Sequence, residues 1–171
     1  MSDQAISALK TAVQVENNGL LTYLKFARKT RDEFGKNMFI QLALDEFEHR
    51  RILEEQLEKL QKGKPCEKLE IPQSELEQLL PKIKEKDLKT KGEAGLQDLE
   101  ALNIALELER KAAGFFEEKA RLVEDEAAKD LFLRLAKWEN VHFNIIQAEI
   151  DTINKTGFWF GMAEFRMDGK Y

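Results

Sequence analysis

The chain has 171 residues, of which 43% are hydrophobic and 35% are charged, so it is long enough for one folded domain and too apolar for a disordered chain. Acidic and basic residues are mixed along the sequence and give a formal charge of −5, which excludes nucleic acid from the expected partners. Cys66 is the single cysteine, so the chain can form neither an internal disulfide nor a Cys-x-x-Cys metal site.

Four segments repeat apolar residues at spacings of three and four, which is typical of amphipathic helices. The first apolar stripe extends from Ile6 to Ala27, and the other three helices are predicted at residues 33–61, 94–123 and 126–154. Asp32 and Asp125 directly precede the second and fourth helices and are predicted to be their N-caps. The predicted fold class is therefore all-α, an antiparallel four-helix bundle.

Two segments lie outside this helical pattern. Residues 62–92 contain all three prolines and many lysines, and we predict a long crossover connection with one short amphipathic stretch at Ser74–Leu80. Residues 157–171 are rich in aromatic side chains, so this tail is predicted to dock on the bundle or on a second subunit, and we expect a homodimer. Residues 1–156 are thus predicted to form the bundle and residues 157–171 its docked tail.

The sequence also contains an internal repeat. Glu16–Leu53 aligns without a gap with Glu109–Ile146, 93 positions later, and identical pairs include Asp32/Asp125, Phe39/Phe132, Leu42/Leu135 and Ala43/Ala136. The bundle is therefore predicted to consist of two similar helical hairpins joined by the 62–92 connection. One long crossover of this kind marks a ferritin-like topology.

Six polar side chains interrupt the apolar stripes at corresponding positions of the two halves: Glu16, Glu46, His49, Glu109, Glu139 and His142. In each half a Glu-x-x-His pair projects from one face of a helix, and another glutamate lies 30 residues before the glutamate of that pair. The midpoint of each interval falls at the expected hairpin turn. All three side chains of a half are therefore predicted to lie at one height, about 21 Å from the turn.

Carboxylates buried at one level repel one another, and each is unfavourable in an apolar interior. Two divalent cations would balance four carboxylates, and each imidazole would add one neutral ligand. Oxygen and nitrogen ligands without thiolate suit iron or manganese better than structural zinc. We therefore predict two metal ions per chain, iron or manganese, held by these six side chains. The competing interpretation is a metal-free helical interaction module.

Two helices with one glutamate each and two with Glu-x-x-His resemble the ferritin-like di-metal carboxylate proteins. Among these, residues 5–154 look most similar to the rubrerythrins, especially the shorter members that lack an electron-transfer tail. The stretches Leu42–His49 and Leu106–Glu109 carry much of this resemblance.

The resemblance implies a role for each ligand. Glu46 and Glu139 would bridge two irons, whereas Glu16 and Glu109 would be terminal ligands and each histidine would bind one iron. It also implies an oxidoreductase of peroxidase or ferroxidase type, whose di-iron centre reacts with hydrogen peroxide or dioxygen.

Two departures from the rubrerythrin pattern change these expectations. The chain lacks the paired Cys-x-x-Cys motifs of the small iron domain, so electrons are expected from an external, rubredoxin-like donor protein. Rubrerythrins also tend to carry an extra glutamate one turn after the third-helix ligand, and the matching residue here is Ala112. The remaining six-ligand set is closer to ferritin and bacterioferritin, which leaves ferrous iron oxidation and iron storage as an alternative function.

Tyr23 is the candidate catalytic side chain outside the ligand set. It lies seven residues after Glu16 on the same helical face, while its counterpart in the second half is Phe116. Its hydroxyl could hydrogen-bond a ligand carboxylate or donate an electron, and an ordinary core tyrosine is the alternative.

The cellular compartment is predicted from what the sequence lacks. Met1–Gln4 do not begin a secretion signal, and no apolar run approaches the roughly 18 residues needed to cross a bilayer. A single thiol fits a reducing compartment. We therefore expect a cytoplasmic protein without a membrane partner.

Overall fold

The computed structural model describes residues 3–67, 90–93 and 96–160 of the chain. These residues form the helices α1 (Asp3–Lys29), α2 (Glu33–Gln61), α3 (Leu96–Leu122) and α4 (Glu126–Thr156), and the short strands β1 (Thr90–Glu93) and β2 (Phe158–Phe160). The helices form an antiparallel four-helix bundle, which confirms the predicted fold class. None of the described helices could span a membrane. The stretch Ser74–Leu80 lies outside the described residues.

Each helical hairpin is closed by a capped turn. Helix α1 packs against α2, and α3 packs against α4. The Asp32 carboxylate accepts hydrogen bonds from the backbone N–H groups of Phe34 and Gly35, at 2.9 and 3.1 Å. The Asp125 carboxylate accepts one from the N–H of Ala128 at 2.8 Å. Both predicted N-caps are thereby confirmed.

The bundle interior contains two apolar clusters, one toward each end. The Phe39 cluster lies at the α1–α2 turn and includes Met38, Leu42, Leu102, Ile146 and Ile153. The Phe132 cluster lies at the α3–α4 turn and includes Leu9, Leu53, Phe116, Leu131 and Leu135. The rings of Tyr23 and Phe39 stack with centroids 6.2 Å apart, and those of their counterparts Phe116 and Phe132 stack at 6.3 Å, both at 18°. The two halves of the repeat are therefore packed alike.

The connection between α2 and α3 begins and ends at opposite ends of the bundle. Cys66 packs in the Phe132 cluster, and the N–H of Glu67 donates to Gln56 Oε1 at 2.8 Å. Strand β1 instead pairs with β2, whose Trp159 belongs to the Phe39 cluster. The described residues on either side of this connection, Glu67 and Thr90, therefore lie at opposite ends of the bundle, as a single long crossover requires.

A two-stranded sheet that the sequence did not predict holds the start of the aromatic tail. Strands β1 and β2 are antiparallel, and Trp159 of β2 is fully buried. The indole lies edge-on to Phe39 at 6.2 Å, and its N–H donates to the Asp98 carboxylate at 3.4 Å. Trp159 thus packs on the bundle of its own chain, while residues 161–171 lie outside the described residues.

We predict that Gly35→Ala destabilises the fold and Gly114→Ala does not, although both replace a glycine in a helix. A Cβ at Gly35 would lie 2.6 Å from ring atoms of Trp159, so overpacking should lower the free energy of unfolding by about 1–3 kcal/mol. A Cβ at Gly114 would meet nothing within 4 Å, and the better helix former should raise that free energy by about 0.5–1 kcal/mol. Urea denaturation measures both. Equal stability of the two variants would contradict the position of Trp159.

Candidate metal centre

The structure brings all six predicted ligand side chains together between the two apolar clusters. Helices α1 and α3 each contribute one glutamate, and α2 and α4 each contribute a glutamate and a histidine one turn later. Each of the six residues is at most 3% exposed: Glu16, Glu46, His49, Glu109, Glu139 and His142. The predicted common height follows from the equal spacing of the ligands about each turn.

The six side chains form two overlapping groups. Glu16, Glu46, His49 and Glu139 form one group, and Glu46, Glu109, Glu139 and His142 form the other. In each group one ligand atom per residue lies within 4.8 Å of the others. Only Glu46 and Glu139 belong to both groups. They are the two residues that the resemblance to the rubrerythrins implied as bridging ligands. Their roles as metal ligands stay predictions.

Both histidines turn the same ring nitrogen toward the carboxylates. The Nδ1 atom of His49 lies 3.3 Å from Glu139 Oε1 and 3.5 Å from Glu16 Oε2. The Nδ1 atom of His142 lies 3.4 Å from Glu46 Oε1 and 3.6 Å from Glu109 Oε2. The rings are roughly parallel, with centroids 5.7 Å apart. This is the arrangement expected if each Nδ1 binds one of two neighbouring ions.

Four buried atoms of this cluster have no aligned hydrogen-bond partner among the described residues: Glu16 Oε1, Glu139 Oε1, His49 Nδ1 and His142 Nδ1. Leaving such an atom unsatisfied in a protein interior costs about 1–3 kcal/mol. All four belong to side chains that converge on the same space. The donor set and its unsatisfied atoms therefore fit a pair of divalent cations, which would take these lone pairs and balance the carboxylate charge.

Without metal, the cluster retains protons on several of its groups. Burial, together with repulsion from the Glu46 carboxylate, raises the pKa of Glu16 and of Glu139 well above the ordinary value. Burial opposes the charged form of His49, but the carboxylates of Glu139 and Glu46 outweigh it and raise the His49 pKa to about 9. In the same way, Glu109 and Asp45 outweigh burial and raise the pKa of His142 well above its usual value.

Metal binding is therefore expected to release protons. The ions must displace protons from Glu16, Glu139 and the imidazoles, so metal affinity should increase as the pH rises from 6.5 toward the His49 pKa of about 9. Calorimetric titration in buffers of different ionisation enthalpy measures the number of protons released. An affinity that does not change over this pH range, with no protons released, would disagree with the expectation.

Two further residues contact the histidines and were not predicted as site residues. Asp45 Oδ2 lies 3.2 Å from Nε2 of His142, and Asp45 Oδ1 accepts a hydrogen bond from Gln41 at 3.1 Å. The indole of Trp138 stacks on the His49 ring, with centroids 4.4 Å apart and an angle of 8°. Asp45 and Trp138 are counterparts in the repeat, 93 positions apart. One imidazole is thus oriented by a carboxylate, and the other by an aromatic face.

The hydroxyl of Tyr23 contacts Glu109, which belongs to the same ligand group as His142. Tyr23 is 1% exposed, and its hydroxyl donates a hydrogen bond to Glu109 Oε1. Burial and the Glu109 charge raise the Tyr23 pKa well above its usual value, so the hydroxyl keeps its proton. Tyr23 thus hydrogen-bonds a carboxylate of the cluster, which is one of the possibilities that the sequence predicted. Electron donation by Tyr23 stays a prediction.

We predict that Asp45→Asn weakens binding of one metal ion only. Asparagine cannot supply the anionic partner of His142, and loss of such a partner lowers metal affinity by about 10–100-fold. The ion at Glu109 and His142 should be affected, while the other should bind nearly as before. Stepwise anaerobic titration with Co²⁺ resolves the two events.

Asp151→Asn is the matched control for this experiment. Asp151 is exposed on α4 and accepts a hydrogen bond from Gln147 at 3.0 Å. This contact has the same spacing of four residues as the contact between Gln41 and Asp45. The control should bind both ions like the unaltered chain. Equal weakening of both ions by Asp45→Asn, or of neither, would count against the assignment.

The fold and this cluster together define a class, the ferritin-like bundles with buried glutamate and histidine side chains. The rubrerythrin family model matches residues 7–150, so the chain belongs to the rubrerythrin family. A solved hypothetical protein from Pyrococcus furiosus is similar in fold, with a TM-score of 0.66 and 21% identity over 91% of this chain and 93% of that one. No curated protein sequence matches the chain.

Proposed function

We propose that the chain is a di-iron redox protein that reduces peroxide at the six-ligand centre. The two overlapping ligand groups that share Glu46 and Glu139 are the observation that supports this most directly. Four carboxylates match the charge of two ferrous ions, and the ligand chemistry suits iron. When bound, such a pair supplies two electrons and Lewis acidity.

The residues of the chain hold this centre and control access to it. The Phe39 and Phe132 clusters exclude water from both ends of the ligand level. Tyr23 holds the Glu109 carboxylate, and Asp45 orients His142. Access for a small oxidant comes from the side, through a cavity between α1 and α3 that reaches Glu16 and Glu109.

We propose that electrons come from an external rubredoxin-like protein. Cys66, the single cysteine of these 171 residues, cannot form a four-cysteine iron site. Its side chain is buried, and burial together with the charge of Asp125 raises its pKa to about 11, so it is not a reactive thiolate. A cytoplasmic homodimer remains part of this proposal.

Ferrous iron oxidation and handling is the second candidate. It is favoured by Ala112, which stands one turn after Glu109 and leaves six ligands rather than seven. Storage also requires a hollow shell of many subunits. Sedimentation of the purified chain separates the two, because a dimer opposes storage and a large closed particle supports it.

We predict that ferrous iron in the loaded protein is oxidised faster by hydrogen peroxide than by dioxygen. The expected difference is about tenfold or more at equal concentrations, since a peroxidase is organised around the transition state of its own oxidant. Stopped-flow absorbance after anaerobic loading with two ferrous ions per chain measures both rates. Faster oxidation by dioxygen would favour the iron-handling function.

We also predict that the double variant Glu46→Ala, Glu139→Ala loses both irons and stays folded. It removes the two residues common to both ligand groups, while the apolar clusters remain. Iron analysis and circular dichroism measure the two properties. The control, Glu48→Ala with Glu107→Ala, also removes two glutamates, but these are exposed, one on α2 and one on α3, and it should keep both irons. Two irons retained by the first variant would show that the ligand assignment is wrong.

A further inference from the structure

A cavity of about 290 Å³ lies between α1 and α3, beside the ligand cluster. Its floor consists of the four predicted ligand carboxylates: Glu16, Glu46, Glu109 and Glu139. Its outer lining includes Asn18 and Lys111, which are exposed, so the cavity connects the cluster with the surface of the bundle. Any molecule that reaches the metal centre by this route passes through it.

The cavity lies where the two halves of the repeat face each other. Its walls include the counterpart pairs Val15/Leu108 and Gly19/Ala112. Gly19 and Ala112 each follow a ligand glutamate by one turn, and both have minimal side chains. A Cβ at Gly19 would already lie 3.2 Å from Cδ of Glu46, so this position has little room for anything larger. Because the side chains of Gly19 and Ala112 are small, the cavity stays open directly above the carboxylates.

The size and lining of the cavity exceed what hydrogen peroxide requires. At about 30 Å³ for each water-sized group, the volume accommodates roughly ten non-hydrogen atoms, whereas hydrogen peroxide has two. Val15, Leu108 and Phe115 make the walls apolar, and such walls favour an apolar ligand over water. Asn18 and Lys111 lie at the outer end, and the other charged side chains of the lining lie at the floor, at the predicted metal centre. The cavity therefore matches a compact apolar body with one oxygen-bearing end.

We propose that this cavity is a substrate site for small organic hydroperoxides, with the apolar body against Val15 and Leu108 and the peroxide oxygens toward the metal centre. This substrate class rests on the proposed peroxide reduction. In the reaction the O–O bond breaks, one oxygen leaves as an alcohol and the other as water. Two protons come from solvent, and two electrons come from the bound ferrous pair, which the external donor protein reduces again.

The first test measures binding without turnover. Cumyl alcohol, the stable reduction product of cumene hydroperoxide, is titrated calorimetrically into the iron-loaded full chain. One molecule per chain should bind, and Ala112→Phe, which fills the cavity, should weaken binding by about tenfold or more. The control Ala112→Ser hardly changes the volume and should bind like the unaltered chain. Absence of binding, or equal binding by the Phe and Ser variants, would overturn the proposal.

A second variant keeps this test decisive if Ala112→Phe fails to fold. Val15→Phe narrows the cavity from the opposite wall, on α1 instead of α3, and should weaken binding of cumyl alcohol in the same way. If both Phe variants are folded by circular dichroism and neither weakens binding, the alcohol binds elsewhere and the proposal is wrong.

The second test compares oxidants in single-turnover oxidation of the ferrous protein. Cumene hydroperoxide should react about tenfold faster than hydrogen peroxide, and Ala112→Phe should reverse this preference. Oxidation by hydrogen peroxide without oxidation by cumene hydroperoxide would overturn the organic substrate and leave the proposed function standing. Binding of cumyl alcohol without oxidation by either peroxide would overturn the proposed function, and the substrate assignment with it.

Discussion

Mutual repulsion of four carboxylates buried at one level is the constraint on which the rest of this structure depends. Burial in an apolar interior makes each charged carboxylate unfavourable, and repulsion from the other three carboxylates makes it more unfavourable still. The metal-free chain relieves the repulsion with protons, because Glu16 and Glu139 hold theirs and His49 becomes positive beside them. A pair of divalent cations would provide the same relief with more positive charge. The apolar clusters on either side supply the packing that keeps this unfavourable level in place.

The repeat makes the centre nearly symmetric, and two substitutions within the repeat make its halves different. Tyr23 donates to Glu109, whereas its counterpart Phe116 packs in the apolar cluster and offers Glu16 no hydroxyl. Asp45 contacts His142, whereas its counterpart Trp138 covers the face of His49. Both polar contacts fall on the Glu109 and His142 half. An anionic partner makes an imidazole a stronger ligand, so the two metal positions are expected to differ in affinity.

The parts of the structure that could be predicted from sequence are those fixed by spacing along one helix or one hairpin. The equal intervals about the turns predicted the height of the six side chains, and Asp32 and Asp125 marked two helix starts because capping is local. Asp45 was missed because it lies one residue beside the ligand stripe and contacts α4, 97 positions away. The β1–β2 sheet was missed for a similar reason, since strands of four and three residues paired from distant segments carry no periodic signal.

Ala112 illustrates how a departure from a family pattern acquires a physical meaning in three dimensions. From the sequence alone it is a missing carboxylate, which would argue only that the centre has fewer ligands. In the structure the same residue, together with Gly19, lines the cavity between α1 and α3 that reaches the cluster. A large side chain at either position would close this approach, and at Gly19 even a methyl group would press on Glu46. The alanine that stands in place of a carboxylate therefore also leaves space beside the glutamate cluster, and this space decides how large a molecule can reach the carboxylates.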